Sequence, residues 1–149
     1  MNFDPASALV HQREIAAPPE LIFAAFRDPQ QLARWWGPEG FTNTFERFEF
    51  REGGAWHLVM HGPDGTHYPN ELVFASIEPP HRIVIDHLRP MHRFILTVTL
   101  AVISPNTTQV TWQMIFESPD EARRLREVLA VANEQVLDRL SSVASHSAP

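Results

Sequence analysis

From Thr42 to Glu117 apolar and polar residues alternate along the chain. Phe94, Leu96, Val98, Leu100 and Val102 fall on one side of an extended backbone, as do Val110, Trp112, Met114 and Phe116. Their alternates include Thr97, Thr99, Thr111 and Gln113. A period of two sends successive side chains to opposite faces of a strand, so the pattern predicts a sheet with one dry face and one wet face. Six strands are predicted here: TNTFERFEF, GAWHLVMH, NELVFASIE, RIVIDHL, RFILTVTLAVI and TQVTWQMIFE. The turn signals between them (REGG, GPDG, EPPH, RPM, SPNT) are of hairpin length, which makes an antiparallel meander.

Flanking the meander, the period changes. ALVHQREIAA reads as a further, first strand. In APPELIFAAFRD, Leu21, Ile22, Phe23 and Phe26 recur at helical spacing behind a proline pair that can open a helix. Asp28-Pro29 supplies an N-cap and a first helical residue for a second short helix. That helix stops at Trp36, because Gly37 suits the left-handed position after a helix and Pro38 forbids continuation. Consecutive helical residues point about 100° apart, so Trp35 and Trp36 cannot fill the same space. One is expected to anchor the short helices in the core and the other to stand at the mouth of a cavity. After the meander, Ser118-Pro119-Asp120-Glu121 forms a capping box. Behind it Leu125, Leu129, Ala132, Val136 and Leu140 make one apolar stripe on a helix predicted over Pro119–Leu140. At about 20 residues it is ~30 Å long, enough to cross the dry face of the sheet.

Composition narrows the partners. A 149-residue chain forms one core that buries roughly 68–70% of its unfolded surface. A net charge of −6 argues against nucleic acid, since phosphate binding needs a basic surface. No cysteine is present, which removes disulfides, thiolate metal sites and cysteine nucleophiles. The first ten residues lack the basic and apolar regions of a signal peptide, and no apolar run approaches the ~18 residues of a membrane span. The expectation is a cytoplasmic protein, monomer or homodimer. A single domain over 8–143 is expected, with 1–7 and 144–149 as frayed ends.

The segments APPELIFAAF, DPQQLARWWGP, REGGAW, MHGPDG with Asn70 after it, and IEPPHRIV, followed by the C-terminal helix, resemble one family in order and spacing. It is the homologue-like branch of the activator of heat-shock-protein-90 ATPase, within the START-like (SRPBCC, polyketide cyclase-like) superfamily. The resemblance runs from about Leu9 to Leu140, and the double tryptophan before Gly-Pro is its most specific part. It implies an α+β helix-grip fold: a curved antiparallel sheet wrapped around a long C-terminal helix, with two short helices after the first strand. It also implies an apolar pocket between sheet and helix. Activities in the superfamily include ligand binding, polyketide cyclisation and chaperone activation, so the fold does not fix the function. The co-chaperone of the family name has an additional N-terminal domain for which this chain has no room, so heat-shock-protein binding is not expected here. The family has no shared catalytic motif, and no catalytic residue carries over.

Candidate chemistry in the residues themselves is sparse. Six of the eight histidines lie between His57 and His92. His57 and His61 span about 13 Å on a strand, too far to share an ion. His87 and His92 could face each other across a hairpin but have no third ligand nearby. No metal and no cofactor are therefore expected. Asp86 and His87 remain the candidates for a general acid or base should the cavity host a cyclase- or aromatase-like reaction. A chaperone-activating or regulatory interaction module is the other alternative. The stronger signal is the number of large flat or flexible groups facing an alanine-rich helix. Small Ala130, Ala132 and Asn133 leave space rather than fill it. The expected wall of a cavity for a small hydrophobic or aromatic molecule is Trp35, Trp36, Trp56, Met60, His87, Phe94, Trp112, Met114, Phe116, Leu129 and Asn133. If no structural metal is present, EDTA leaves the melting temperature unchanged; a loss of several degrees that zinc restores would overturn the expectation.

Overall fold

Alternating strands joined by hairpin-length turns leave few arrangements, and the chain takes the simplest one. The computed structural model describes residues 3–146 apart from Met91. The strands are β1 (Leu9–Ile15), β2 (Thr42–Phe48), β3 (Ala55–His61), β4 (His67–Glu78), β5 (Arg82–Arg89), β6 (Phe94–Ser104) and β7 (Thr107–Phe116). They form one seven-stranded antiparallel sheet in the order β1-β7-β6-β5-β4-β3-β2. From β2 to β7 this is a plain meander, and β1 closes it by pairing Leu9 with Met114 through Ile15 with Thr108. Bulges between Phe45 and Arg47 and between Phe74 and Ser76 add bend to the curved sheet.

Helices α1 (Pro19–Arg27) and α2 (Pro29–Trp35) follow β1, and α3 (Pro119–Ser145) follows β7. Asp28 caps α2 by accepting from the Gln30 N–H at 3.0 Å, and Ser118 caps α3 by accepting from Glu121 N–H at 3.3 Å. α3 runs beyond the predicted Leu140 because the apolar spacing continues: Val143 and Ala144 are buried like Leu137 and Leu140. The N-terminal segment also has local order, a 3-10 turn at Pro5–Ser7 capped by Asp4. The rest of the expected frayed ends, Met1, Asn2 and residues 147–149, lies outside the described residues. No helix among the described residues is long and apolar enough to cross a membrane.

The dry face of the sheet is covered by all three helices, unevenly along α3. Its C-terminal half is tightly packed, with Leu137 and Leu140 fully buried, whereas Leu125 and Leu129 nearer its start are only half-buried. A clamp fixes the C-terminal half. Short helices leave carbonyls unsatisfied at their C-terminal end, and α2 then enters a turn that makes no regular ladder. Arg139 of α3 reaches across to them. Its Nη1 donates to the carbonyls of Gly37 at 2.7 Å and Pro38 at 2.9 Å, and its Nη2 to those of Arg34 at 2.8 Å and Phe41 at 3.0 Å. Asn43 donates to the remaining ones, Ala33 at 3.0 Å and Trp36 at 2.8 Å. A cation at a helix C-terminus also complements the peptide dipole.

Replacing Arg139 by Met keeps the apolar stem and removes the donors. Hydrogen bonds from charged groups are worth about 1.5–3 kcal/mol. Arg139→Met should therefore lower the unfolding free energy by about 3 kcal/mol in urea titration, while an exposed control such as Arg126→Met changes it by less than about 0.5 kcal/mol.

Candidate ligand cavity

Where α3 stands off the sheet, a cavity of about 260 Å³ remains. Its floor comes from alternate residues of β3 to β7, its roof from α3, and one side from the turn after α2. The wall is almost entirely apolar. It is smaller than the roughly 300–1,000 Å³ of a site for a drug-sized ligand.

The two adjacent tryptophans divide as helical geometry requires. Trp35 is fully buried, donates its indole N–H to the Ala25 carbonyl at 2.9 Å and packs edge-on against Phe26, locking α2 to α1. Trp36, one residue later, turns to the cavity. Gly37 next to it has φ +94°, and a Cβ there would stand 2.8 Å from the Met60 methyl. The left-handed backbone conformation calls for glycine here, while the Met60 methyl, at the end of a flexible side chain, could move aside.

Of the residues expected at the wall, Trp36, Met60, His87, Phe94, Trp112, Met114, Leu129 and Asn133 line the cavity. Trp35, Trp56 and Phe116 do not. Trp56 lies behind Trp36, its ring 5.0 Å away and stacked on Phe74 at 5.2 Å, so it supports the wall instead of forming it. Phe116 stands beside Phe94 with ring centroids 5.3 Å apart. Of the small residues on α3, Ala132 lines the cavity and Ala130 does not. Sequence reasoning missed Gly37, Pro38, Tyr68, Asn70, Pro90, His92, Leu96 and Val136. The signal for two of these was available: counting back by twos from buried Phe74 and Leu72 puts Asn70 and Tyr68 on the same face.

The polar part of the wall is a short network around His87, which is 7% exposed. Its ring stacks on Phe94 at 4.5 Å and 8°. Nδ1 lies 2.8 Å from the His92 carbonyl and Nε2 lies 2.8 Å from Asn70 Oδ1. The Asn70 amide in turn donates to the Tyr68 carbonyl at 2.8 Å. Both ring nitrogens thus face acceptors, and a neutral imidazole has a single N–H. Turning the Asn70 amide over only moves the mismatch to the Tyr68 carbonyl. The two acceptors favour the imidazolium, but burial acts more strongly and holds the His87 pKa below its ordinary value.

Asp86, next in sequence, points to the opposite face and is held by Arg93 at 2.8 Å. With both nitrogens of His87 committed and Asp86 outside the cavity, neither residue is placed as an acid or base toward an occupant. His92 is differently situated: its Nδ1 lies 2.7 Å from Glu121 Oε2 at the first turn of α3. Among the described residues no three histidine, aspartate or glutamate side chains are grouped to hold a metal ion.

A curved antiparallel sheet gripping one long helix over an apolar cavity defines the START-like, helix-grip class. The particular family follows from the sequence: the family model for the Activator of Hsp90 ATPase homolog 1-like protein matches residues 16–145, and the chain belongs to that family. The solution structure of a protein from Arthrobacter aurescens is similar at 28% identity, covering 99% of this chain and 91% of that one with a TM-score of 0.85. A crystal structure from Nitrosomonas europaea is 21% identical over 94% of this chain and 95% of that one, with a TM-score of 0.83. The AHSA1 protein from Silicibacter pomeroyi shares the fold at 19% identity, covering 91% of this chain and 95% of that one, with a TM-score of 0.70. No curated protein matches the chain.

Burial of His87 has a consequence for acid stability. The unfolded chain, with a histidine pKa of about 6.5, takes up a proton before the folded one does, so stability falls as the pH drops through that value. His87→Gln should remove that share of the loss. Urea unfolding of both proteins at about pH 7.5 and about pH 5.5 tests it, and equal losses would show that folding does not shift this histidine.

Proposed function

We propose that this protein binds a small, flat, apolar molecule in the cavity between α3 and the sheet. The observation that carries this reading is the cavity itself, about 260 Å³ with an almost entirely apolar wall that includes Trp36, Met60, Phe94, Trp112 and Met114. Interiors normally close such spaces, because residual void costs about 24 cal/mol per Å³ and native cores hold few gaps larger than a water molecule. A void kept open by aromatic rings on one side and by small Ala132 on the other is better explained by an occupant than by poor packing. An apolar cavity of about 150 Å³ is already enough for benzene, so this one suits a molecule of one or two rings.

A second reading, acid–base chemistry on the same occupant, draws on the His92–Glu121 pair. A carboxylate beside one nitrogen of a histidine fixes the tautomer and leaves the other nitrogen for proton transfer. Binding is the reading the geometry supports best, since the other histidine on the wall, His87, has both ring nitrogens turned to the His92 carbonyl and Asn70.

Two variants separate a ligand cavity from an ordinary core. Trp→Ala in a filled core costs ~3–5 kcal/mol. Part of the Trp112 ring borders empty space, so Trp112→Ala should cost about 1–3 kcal/mol and weaken binding of naphthalene measured by calorimetry. Ala132→Leu should fill the void, abolish naphthalene binding and leave the melting temperature unchanged or raised. If the wild type binds no apolar probe and Ala132→Leu destabilises as overpacking does, the site is plain core.

A further inference from the structure

Among the described residues, two polar groups on that cavity wall lack a protein partner: the buried Trp112 indole N–H and the Asn133 amide oxygen. Asn133 lies on the cavity face of α3 and is 5% exposed. Its side chain makes a single hydrogen bond, from Nδ2 to the Met114 sulfur at 3.4 Å. A thioether can accept but not donate, so this contact sets the direction of the amide. The NH₂ end faces sulfur, and turning the amide over would set its oxygen against the sulfur lone pairs. Oδ1 is thereby left on the cavity wall as an acceptor with no protein donor. The neighbouring polar side chains, Asn70 and His87, are already engaged with each other and with backbone carbonyls.

We propose that the occupant is a one- or two-ring aromatic alcohol, of the phenol or naphthol class, whose hydroxyl donates to Asn133 Oδ1 while its ring lies against Trp36, Trp112 and Phe94. This rests on reading the cavity as a ligand site, and it adds the polar end of the ligand. A carboxylate does not fit, because it cannot donate to Oδ1 and the neutral Trp112 N–H alone does not offset the cost of burying its charge. An ammonium does not fit either, because the wall offers no counter-charge for a buried cation. A neutral hydroxyl supplies the one donor that Oδ1 lacks, on a flat body, and its oxygen can still accept from a donor such as the Trp112 N–H.

The test compares 2-naphthol, 2-methoxynaphthalene and naphthalene by calorimetric titration. Methylation keeps the ring system and removes the donor. Wild type should bind 2-naphthol roughly tenfold more tightly than 2-methoxynaphthalene, the worth of one neutral hydrogen bond. Asn133→Leu, close in shape and without the acceptor, should bind the two about equally while retaining naphthalene. Met114→Leu is a volume-conserving change that should fold even if Asn133→Leu does not. It frees the amide to turn and should shrink the preference. Equal affinities in wild type, or a preference that survives in Asn133→Leu, would overturn the assignment of the hydroxyl while leaving the cavity as an apolar site. Failure of all three compounds to bind wild type would remove the cavity reading, and this inference with it.

Discussion

The Arg139 guanidinium gathers carbonyl oxygens from Arg34, Gly37, Pro38 and Phe41, a stretch of chain whose peptide groups have left the helix and not yet reached a strand. Without it, the turn after α2 would carry several unmet acceptors against an apolar neighbour. With it, the turn becomes a rigid brace between the short helices and the long one. Trp36 and Gly37 sit in that brace, so the position of one cavity wall depends on a residue on α3. Burial lowers the Arg139 pKa, yet a guanidinium keeps its charge across any ordinary pH.

The clamp also explains why α3 is dry along one half and open along the other. Near Arg139 the helix buries its own Leu137 and Leu140 in the core cluster that also holds Leu32 and Trp35. Towards Ser118 it is held by its cap and by surface contacts of Glu121, Arg124 and His92, where exposed pairs add little. A helix anchored firmly at one end and loosely at the other can arch over a void without collapsing into it.

Much of this was legible from residue order. The one-sided strands, the capping box at Ser118 and the stop at Gly37-Pro38 all act through neighbours within a few positions, and the elements they predict are present. Helix geometry said that Trp35 and Trp36 cannot fill one space but not which of them faces the cavity, and both were counted in its wall, where Trp36 alone belongs. Arg139 left no trace, because backbone carbonyls about a hundred residues away carry no side-chain signature. The wall was read too generously at Trp56 and Phe116, where period-two reasoning gives the face of the sheet but not the distance from the helix. It was read too narrowly at Tyr68 and Asn70, whose polarity disguised an inward-facing position, and at His92 and Pro90, which the β5–β6 turn delivers.

The pairing of β1 with β7 has a meaning for the order in which the molecule can be made. Leu9 must wait for Met114, so the ends of the sheet close only after more than a hundred residues have been joined. Such long-range pairing is slow, since loop-closure entropy is lost before the contact is gained. Until β7 and α3 emerge from the ribosome, the inner face of β3 to β6 lies bare and β6 has a free edge, the surfaces that invite association with other chains. The helix that roofs the cavity is also the cover that ends this exposure, and it is synthesised only after every strand it covers.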